Sequence, residues 1–421
     1  MSVANGPPPQ AGMLDGLRAL EIATWVAAPT VGGILAEYGA DVTHIEDPLR
    51  GDPHRSSVSQ AWKQTAPDAQ FNSSYELNNR NKRSLALSLK TPEGQEIFRQ
   101  LVERSDIFIT NLLPDSQSRL NVNYAALRAI NERIIHVAIT GWGTAGPFRQ
   151  NRGFDLTVYW AASSMMSMMT VANTPPPLVR PGMGDRPTGM AAMAALGMAL
   201  YHRERTGQGQ AIEVSLMHSG MWGVASDMQR AVVFGKPGPR YSHAAAPGPL
   251  TNAYPTRDGR WLMVNISAAE WPAFCRALDA PELLEDPRFE TADKRGINNV
   301  ALIGALDAAF LRHDLAEWEK RLNAAEVTWA PALDPLEAAN HPQAIENGFF
   351  IDAHHSAIGP YKLLTYPFRF SGEPPRFRNQ APAQGQDTRE ILTELGIAPE
   401  RMDGLAERGV VSFADPAHTP G

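Results

Sequence analysis

RALEIATWVAAPTVGGILAEYGADVTHIE, Arg18–Glu46, decides the fold. Arg18 to Thr24 (RALEIAT) reads as a buried strand. Ala27 to Tyr38 reads as a helix that ends near Gly39. Asp41 to Glu46 (DVTHIE) reads as a second strand. Strand, helix and strand at this spacing form a βαβ unit, which requires parallel strands and a right-handed crossover. The turn Trp25-Val26-Ala27-Ala28-Pro29 has no GxGxxG, so the nicotinamide fingerprint is absent although the architecture is similar.

Outward from this unit the same alternation continues. Asp47 to Glu76 has no clear period and is expected to be a long loop of the kind enzymes use as lids. Arg83 to Leu89 is an expected strand, and Thr91-Pro92-Glu93 caps a helix through Val102. Asp106–Thr110 and Ile134–Ile139 are further strands, with a short helix at Asn123–Ile130 between them. The fold class is therefore α/β, a doubly wound, Rossmann-like parallel sheet. Thr140–Pro147 (TGWGTAGP) is a Gly-rich loop after a parallel strand, where such sheets bind ligands. Asp155–Thr170 is expected to be a Met-rich helix, Ala211–Ser215 a strand, and the following residues a helix to about Phe234. Gly235–Leu250 reads as a Pro-rich linker. Beyond it, Thr251–Tyr254 and Arg260–Val264 form a hairpin around Asp258-Gly259. Helices are expected near Glu270–Leu278, Asn298–Arg312 and Ala316–Ala325, and Trp329–Ala332 leads out. Then come a helix at Asp334–Asn340, a strand at Tyr361–Phe370 and a helix at Thr388–Leu395. The expected division is a large domain over 1–230, a small α+β domain over 231–329, and a return to the large domain over 330–421.

The chain has 421 residues, 43% hydrophobic and 20% charged, which suits a large globular core. A net charge of -7 argues against nucleic acid or an anionic membrane as the main partner. The one cysteine, Cys275, allows neither an internal disulfide nor a cysteine metal cluster, so no metal and a reducing cytoplasm are expected. Its setting, Trp271-Pro272-Ala273-Phe274-Cys275, reads as core. Met1–Met13 has no apolar signal-peptide region, and it and Phe413–Gly421 read as loose tails. No run approaches the ~18 apolar residues of a membrane span.

One carboxylate stands out. Asp185 lies between Gly184 and Arg186-Pro187, before the apolar run Met190–Leu200, which has no polar face and so reads as a buried helix. A carboxylate at a helix start is stabilised by the dipole. Asp before such a helix is ordinarily a cap, so cap and reactive group are both open from this stretch alone. Met165, Met166, Met168, Met169, Met183, Met190, Met193, Met198, Met217, Met221 and Met228 read as core filler, or as a flexible apolar pocket.

Together the motifs resemble the class III CoA-transferases, the family of formyl-CoA transferase and carnitine CoA-transferase, related to the α-methylacyl-CoA racemases. The anchors are Gly16–Pro29 (GLRALEIATWVAAP), Glu37–Glu46 (EYGADVTHIE), Asn79–Gly94 (NRNKRSLALSLKTPEG), Thr140–Pro147, Gly153–Leu156 (GFDL), Gly184-Asp185 and Arg205–Gln210 (RTGQGQ). The resemblance implies an acyl-CoA:carboxylate CoA-transferase with Asp185 as nucleophile, working through an aspartyl anhydride and an aspartyl-CoA thioester. It implies an interlocked homodimer, or a heteromer with a paralogous subunit, with no permanently bound cofactor and CoA as substrate. CoA phosphates need local cations, for which Arg83, Lys90 and Arg119 are candidates, while Lys82 reads as a solvated surface charge. By resemblance Val26, Ala27, Leu87, Lys90, Asn111, Leu112, Arg119, Thr140, Gly141, Trp142 and Gly143 match CoA-contacting positions.

The departures are specific. Leu113-Pro114-Asp115 replaces a Pro-Gly turn. Asp47 stands where formyl-CoA transferase has a basic residue, with Arg50 the nearest replacement. Ala244–Pro249 does not match that enzyme's Gly-rich loop. The racemases carry His where this chain has Phe154, and racemisation needs two acid/base groups about one carbon. Transfer is therefore preferred over the rival reading of an acyl-CoA racemase or isomerase. A second rival is a non-catalytic acyl-CoA-binding subunit in which Asp185 only caps. Trp25, Trp142, Trp160 and the Met-rich helices suggest an apolar or aromatic acyl group.

Overall fold

The computed structural model describes residues 12–57 and 71–414. Most of both expected tails and part of the Asp47–Glu76 loop lie outside the described residues. Six strands run parallel: β1 (Arg18–Ile22), β2 (Asp41–Glu46), β3 (Arg83–Leu87), β4 (Ile107–Thr110), β5 (Ile135–Thr140) and β6 (Ala211–Ser215). Their order is β3-β2-β1-β4-β5-β6. The chain therefore winds outward from β1 to β3, then returns to lay β4 on the other side of β1. That reversal opens a crevice beyond the carboxyl ends of β1 and β4.

Both faces of the sheet are covered, as a parallel sheet requires. In β4, Ile107 and Ile109 join one core cluster and Phe108 the other, following the two-residue alternation of a strand. The first cluster includes the Ala27–Glu37 helix, which is buried along its whole length. It is crossed by the Asp185–Thr206 helix at Gly189, where a Cβ would stand 2.7 Å from the Ala27 carbonyl oxygen. That long helix is not buried on every face, contrary to the expectation from its apolar composition. Its buried residues, Thr188, Gly189, Ala192, Leu196, Ala199 and Arg203, form one stripe, and Met198 is 72% exposed. Alanine and methionine supply helix propensity on the open face as readily as they fill a core.

Other elements also differ from expectation. Two short helices, Ser73–Asn79 and Pro114–Arg119, were not legible because one or two turns carry no readable period. The Met-rich stretch is a wide-turned helix, Asp155–Ala162, with the Ser163 amide reaching back five residues to Val158, and then a separate turn at Met165–Met169. Ser164, at φ +82°, makes the break. Leu216–Phe234 is likewise divided, at Val224. Phe350–His355 (β10) and Gly359–Leu364 (β11) form a hairpin, shorter than the strand expected to Phe370 because Pro367 cannot donate to a ladder. A helix at Pro399–Glu407 leads to β12 (Val411–Ser412), antiparallel to β3 at the edge of the large sheet.

The chain forms two compact units. The smaller comprises Met168–Pro177 and Val233–Asn347, and the larger the remainder. The smaller unit thus extends past 329. Trp329–Pro331 (β9) does not lead out; it pairs with β8 (Trp261–Asn265), which pairs with β7 (Thr251–Pro255). Glu337 then holds Arg260 at 2.9 Å, tying the Pro335–Ala339 helix to this sheet. Tyr254, Phe274, Cys275, Phe310 and Trp318 fill the core of this unit. Burial pushes the Cys275 thiol up to about 12, which makes it a packing residue. Among the described residues no helix is long and apolar enough to cross a membrane.

Candidate active site

Asp185 is the first residue of its helix, and Gly184 occupies the capping position. The sequence allowed Asp185 to be the cap, but Gly184 holds that position without a side-chain cap, and Asp155 fixes the turn that leads into the helix. The Asp155 carboxylate, 4% exposed, accepts the Gly182 amide at 2.5 Å and the Gly184 amide at 3.0 Å. It thereby satisfies two amides of the turn that precedes the helix. Thr188 closes the other side by donating from Oγ1 to the Gly184 carbonyl at 2.8 Å, and Arg186 donates to the Gly182 carbonyl at 3.0 Å. The turn needs glycine twice. Gly182 has φ +85°, and a Cβ on Gly184 would overlap the Tyr159 ring and the Asp155 carboxylate.

Asp185 sits in a setting that disfavours its charge. Burial, with the neighbouring Asp155 adding to it, pushes its carboxyl up to about 7 against the pull of Arg186. Asp155 is also raised by burial, although its amide donors oppose the shift. Two carboxylates in one site thus differ in role: one is spent on backbone donors, the other is not.

Around this turn the structure gathers several residues singled out above. Val26 opens the Ala27–Glu37 helix and lies beside Gly182. Trp25 has φ +70°, a strained conformation for a bulky side chain. Its ring meets Phe154 edge-on at 6.1 Å and His54 at 5.8 Å. The Thr140–Gly143 loop reaches the same place because Gly141 packs directly on Gly153; a Cβ on Gly141 would stand 2.7 Å from the Gly153 Cα. Thr140 Oγ1 accepts the Gly143 amide at 2.9 Å, and Trp142 donates to the Arg152 carbonyl at 3.3 Å. Trp160 is not part of this group; it is buried in the core beneath.

The crevice beyond β1 to β4 is a cleft of about 180 Å3, lined among others by Thr24, Asp47, Asp52, Leu87, Lys90, Leu112 and Leu120. Asn111 fastens its floor: it donates to the Thr24 carbonyl at 2.7 Å and accepts the Thr24 amide at 3.1 Å. Thr24 leads directly to Trp25, so the cleft and the Asp185 turn share one strand end. Leu87, Lys90 and Leu112 line the cleft, and Lys90 pairs with Asp47 at 2.8 Å. Arg119 is exposed beside Leu120, on the helix that follows β4.

Two of the cations read from sequence lie elsewhere. Arg83 begins β3, at the end of the sheet away from the cleft, and is engaged by Asp41 and Glu394 at 2.7 Å each. Lys82 is no surface charge. It is 3% exposed and donates to both Glu21 oxygens at 2.8 and 3.0 Å, to the Pro29 carbonyl at 3.0 Å and to Asn79 at 3.0 Å. A lysine can be buried only with such a partner set, and no local pattern in NRNKRS reveals it. Asp155 was equally hidden. Its only signal was its place in GFDL, and the two glycine amides it holds are 27 and 29 residues away.

The model of CoA-transferase family III matches residues 14–388. The (R)-2-hydroxy-4-methylpentanoate CoA-transferase of Clostridioides difficile is 29% identical over 95% of this chain and 100% of its own length. The cinnamoyl-CoA:phenyllactate CoA-transferase of Clostridium sporogenes is 28% identical over 93% of this chain and 96% of its own. A solved CAIB/BAIF family protein from Brucella suis superposes with a TM-score of 0.80 at 26% identity, covering 92% of this chain and 100% of that one. With the parallel sheet, the crevice at its reversal and the Gly184-Asp185 turn in place, the chain belongs to CoA-transferase family III.

Proposed function

We propose that this protein moves CoA from an acyl-CoA to a free carboxylic acid, with Asp185 as the covalent carrier. The observation that carries this reading is the buried Asp185 carboxyl at a helix start, next to a glycine turn held by Asp155, a setting that pushes it up to about 7. A site that disfavours the carboxylate favours uncharged forms of the same side chain, and an aspartyl anhydride or thioester is uncharged. A more basic carboxylate is also a better nucleophile while remaining substantially ionised near neutral pH.

In the proposed sequence the Asp185 carboxylate attacks the thioester carbonyl, giving a mixed anhydride and the CoA thiolate. The thiolate attacks the aspartyl carbonyl, and the first acid leaves as carboxylate. The second acid attacks the aspartyl-CoA thioester and releases the thiolate again. The thiolate then takes the new acyl group and restores Asp185. Amides at the helix start are suited to the oxyanions of these steps.

Lys90, Leu87 and Leu112 in the cleft, Arg119 beside it, and Val26, Ala27, Asn111 and Thr140–Gly143 along the path to Asp185 are the proposed CoA contacts. The Trp25–Phe154 pair supports an apolar or aromatic acyl group. The hydroxy acids named for the two bacterial relatives make 2-hydroxy acids the first acceptors to try. Asp155 is consumed by two backbone donors and Phe154 carries no proton, which supports transfer over racemisation. We also infer a homodimer, since Met198, Tyr201, Trp222 and Val232 leave apolar surface open on the larger unit, and a cytoplasmic location, which the single cysteine supports.

The test is direct. Purified protein is given succinyl-CoA or another acyl-CoA with a panel of acids, and products are read by mass spectrometry. After incubation with acyl-CoA, hydroxylamine or borohydride should leave its mark on the Asp185 peptide. Full turnover by a verified Asp185→Asn protein would sink the mechanism.

A further inference from the structure

The cleft has an unexpected charge balance. Lys90 is the one cation among its described lining residues, and Asp47 lies 2.8 Å from its ammonium. Of the two other carboxylates in the lining, Glu46 holds Arg55 and the Ser84 hydroxyl, while Asp52 accepts the His54 amide on Oδ1 at 2.8 Å and keeps a buried Oδ2 that makes no hydrogen bond and is closed to solvent. Asp47 is different. It stands one residue beyond β2, its Oδ1 accepts the Leu49 amide at 3.1 Å, and its side chain is 29% exposed. Its Oδ2, which accepts the Lys90 ammonium, retains a further lone pair. In a doubly wound sheet the end of the second strand is where an acidic side chain meets the hydroxyls of a nucleotide ribose.

We propose that Asp47 accepts the 2′-hydroxyl of the adenosine ribose of CoA, and that the Asp47–Lys90 pair leaves the ribose 3′-phosphate with no net cationic site. This deepens the CoA-transferase reading and rests on it. A phosphate placed on Lys90 would meet the Asp47 carboxylate as well, so gain and repulsion largely cancel. A basic residue at this position would grip the phosphate; an aspartate selects the hydroxyl instead. Arg50 and Arg119, both exposed and outside the lining, add diffuse attraction that salt screens.

The test is equilibrium binding to the full-length protein of three ligands: CoA, 3′-dephospho-CoA and 2′-deoxy-3′-dephospho-CoA. CoA and 3′-dephospho-CoA should bind within about fivefold of each other, as expected of an exposed charge that is already paired. The 2′-deoxy form should bind about tenfold more weakly than 3′-dephospho-CoA, the loss of one hydrogen bond to a charged group. Asp47→Asn should narrow the 2′-deoxy difference and, by releasing Lys90, shift preference toward CoA. A wild-type preference for CoA over 3′-dephospho-CoA above about thirtyfold would overturn the assignment. So would equal binding of the 2′-deoxy form. If CoA itself does not bind, the transferase reading fails first, and this assignment with it.

Discussion

At the scale of single residues, the site turns on a division of labour between two aspartates. In the proposed mechanism Asp185 must be ionised to attack, and its carboxyl is pushed up to about 7. Acylation should therefore rise with pH and level off above about 8, falling about tenfold per unit well below the apparent value. Stability runs the other way. The carboxyl of the unfolded chain titrates near 3.8, so the folding penalty is absent below that pH and complete above about 7. Asp185→Asn should thus abolish transfer yet raise stability by roughly 1–3 kcal/mol at pH 8, with no gain at pH 3.5. Denaturant melts at the two pH values check this. Asp155 is the proposed positioning residue. Asp155→Asn keeps one acceptor for the turn but removes the charge that helps raise Asp185, so activity should fall while the pH midpoint moves to lower pH. Loss of activity with an unmoved midpoint would count against this coupling.

At the scale of elements, close packing of small residues aims the proposed nucleophile. The Asp185–Thr206 helix can approach the Ala27–Glu37 helix only because Gly189 has no side chain. Its first turn is tight only because Gly184 leaves room for Tyr159. Gly184→Ala should cost about 1–3 kcal/mol through overpacking, and should lower kcat more than it raises KM for acyl-CoA, which steady-state kinetics can separate. The buried Lys82–Glu21 pair works similarly beneath the crevice, joining the approach to β3 with β1 and the Pro29 carbonyl. Lys82→Met should destabilise the fold by about 3–5 kcal/mol, because buried Glu21 loses the lysine charge and keeps only its His44 contact. Thermal unfolding at neutral pH is the measurement.

At the scale of the whole molecule, each compact unit has its own core. Cys275 is fully buried in the smaller one. Its reaction with a thiol reagent should therefore be negligible in the native protein and become fast only as that unit unfolds in denaturant. Rapid native labelling would contradict that packing. The uncovered apolar surface of the larger unit leads to the second expectation at this scale. Sedimentation equilibrium should give twice the chain mass of 45.9 kDa, and a stable monomer at micromolar concentration would refute the homodimer.

Taken by itself, the amino-acid sequence determined what depends on neighbours along the chain. The βαβ unit of Arg18–Glu46, the Thr91 cap, the Gly259 turn and the parallel alternation all follow from local period, capping and turn chemistry. So does the order of motifs that marks the family and points to Asp185. What only the tertiary structure decided depends on residues far apart in sequence. Lys82 is buried because Glu21, Pro29 and Asn79 converge on it. The turn before the Asp185 helix is held by Asp155, and Arg83 is removed from the cleft because β3 begins at the far end of the sheet. Periodicity reports which face of an element is apolar, but not which partner covers it. The charge state of a buried carboxylate depends on that partner, so the setting of Asp185 emerges only once the folded chain brings its glycine turn onto Asp155 and Tyr159.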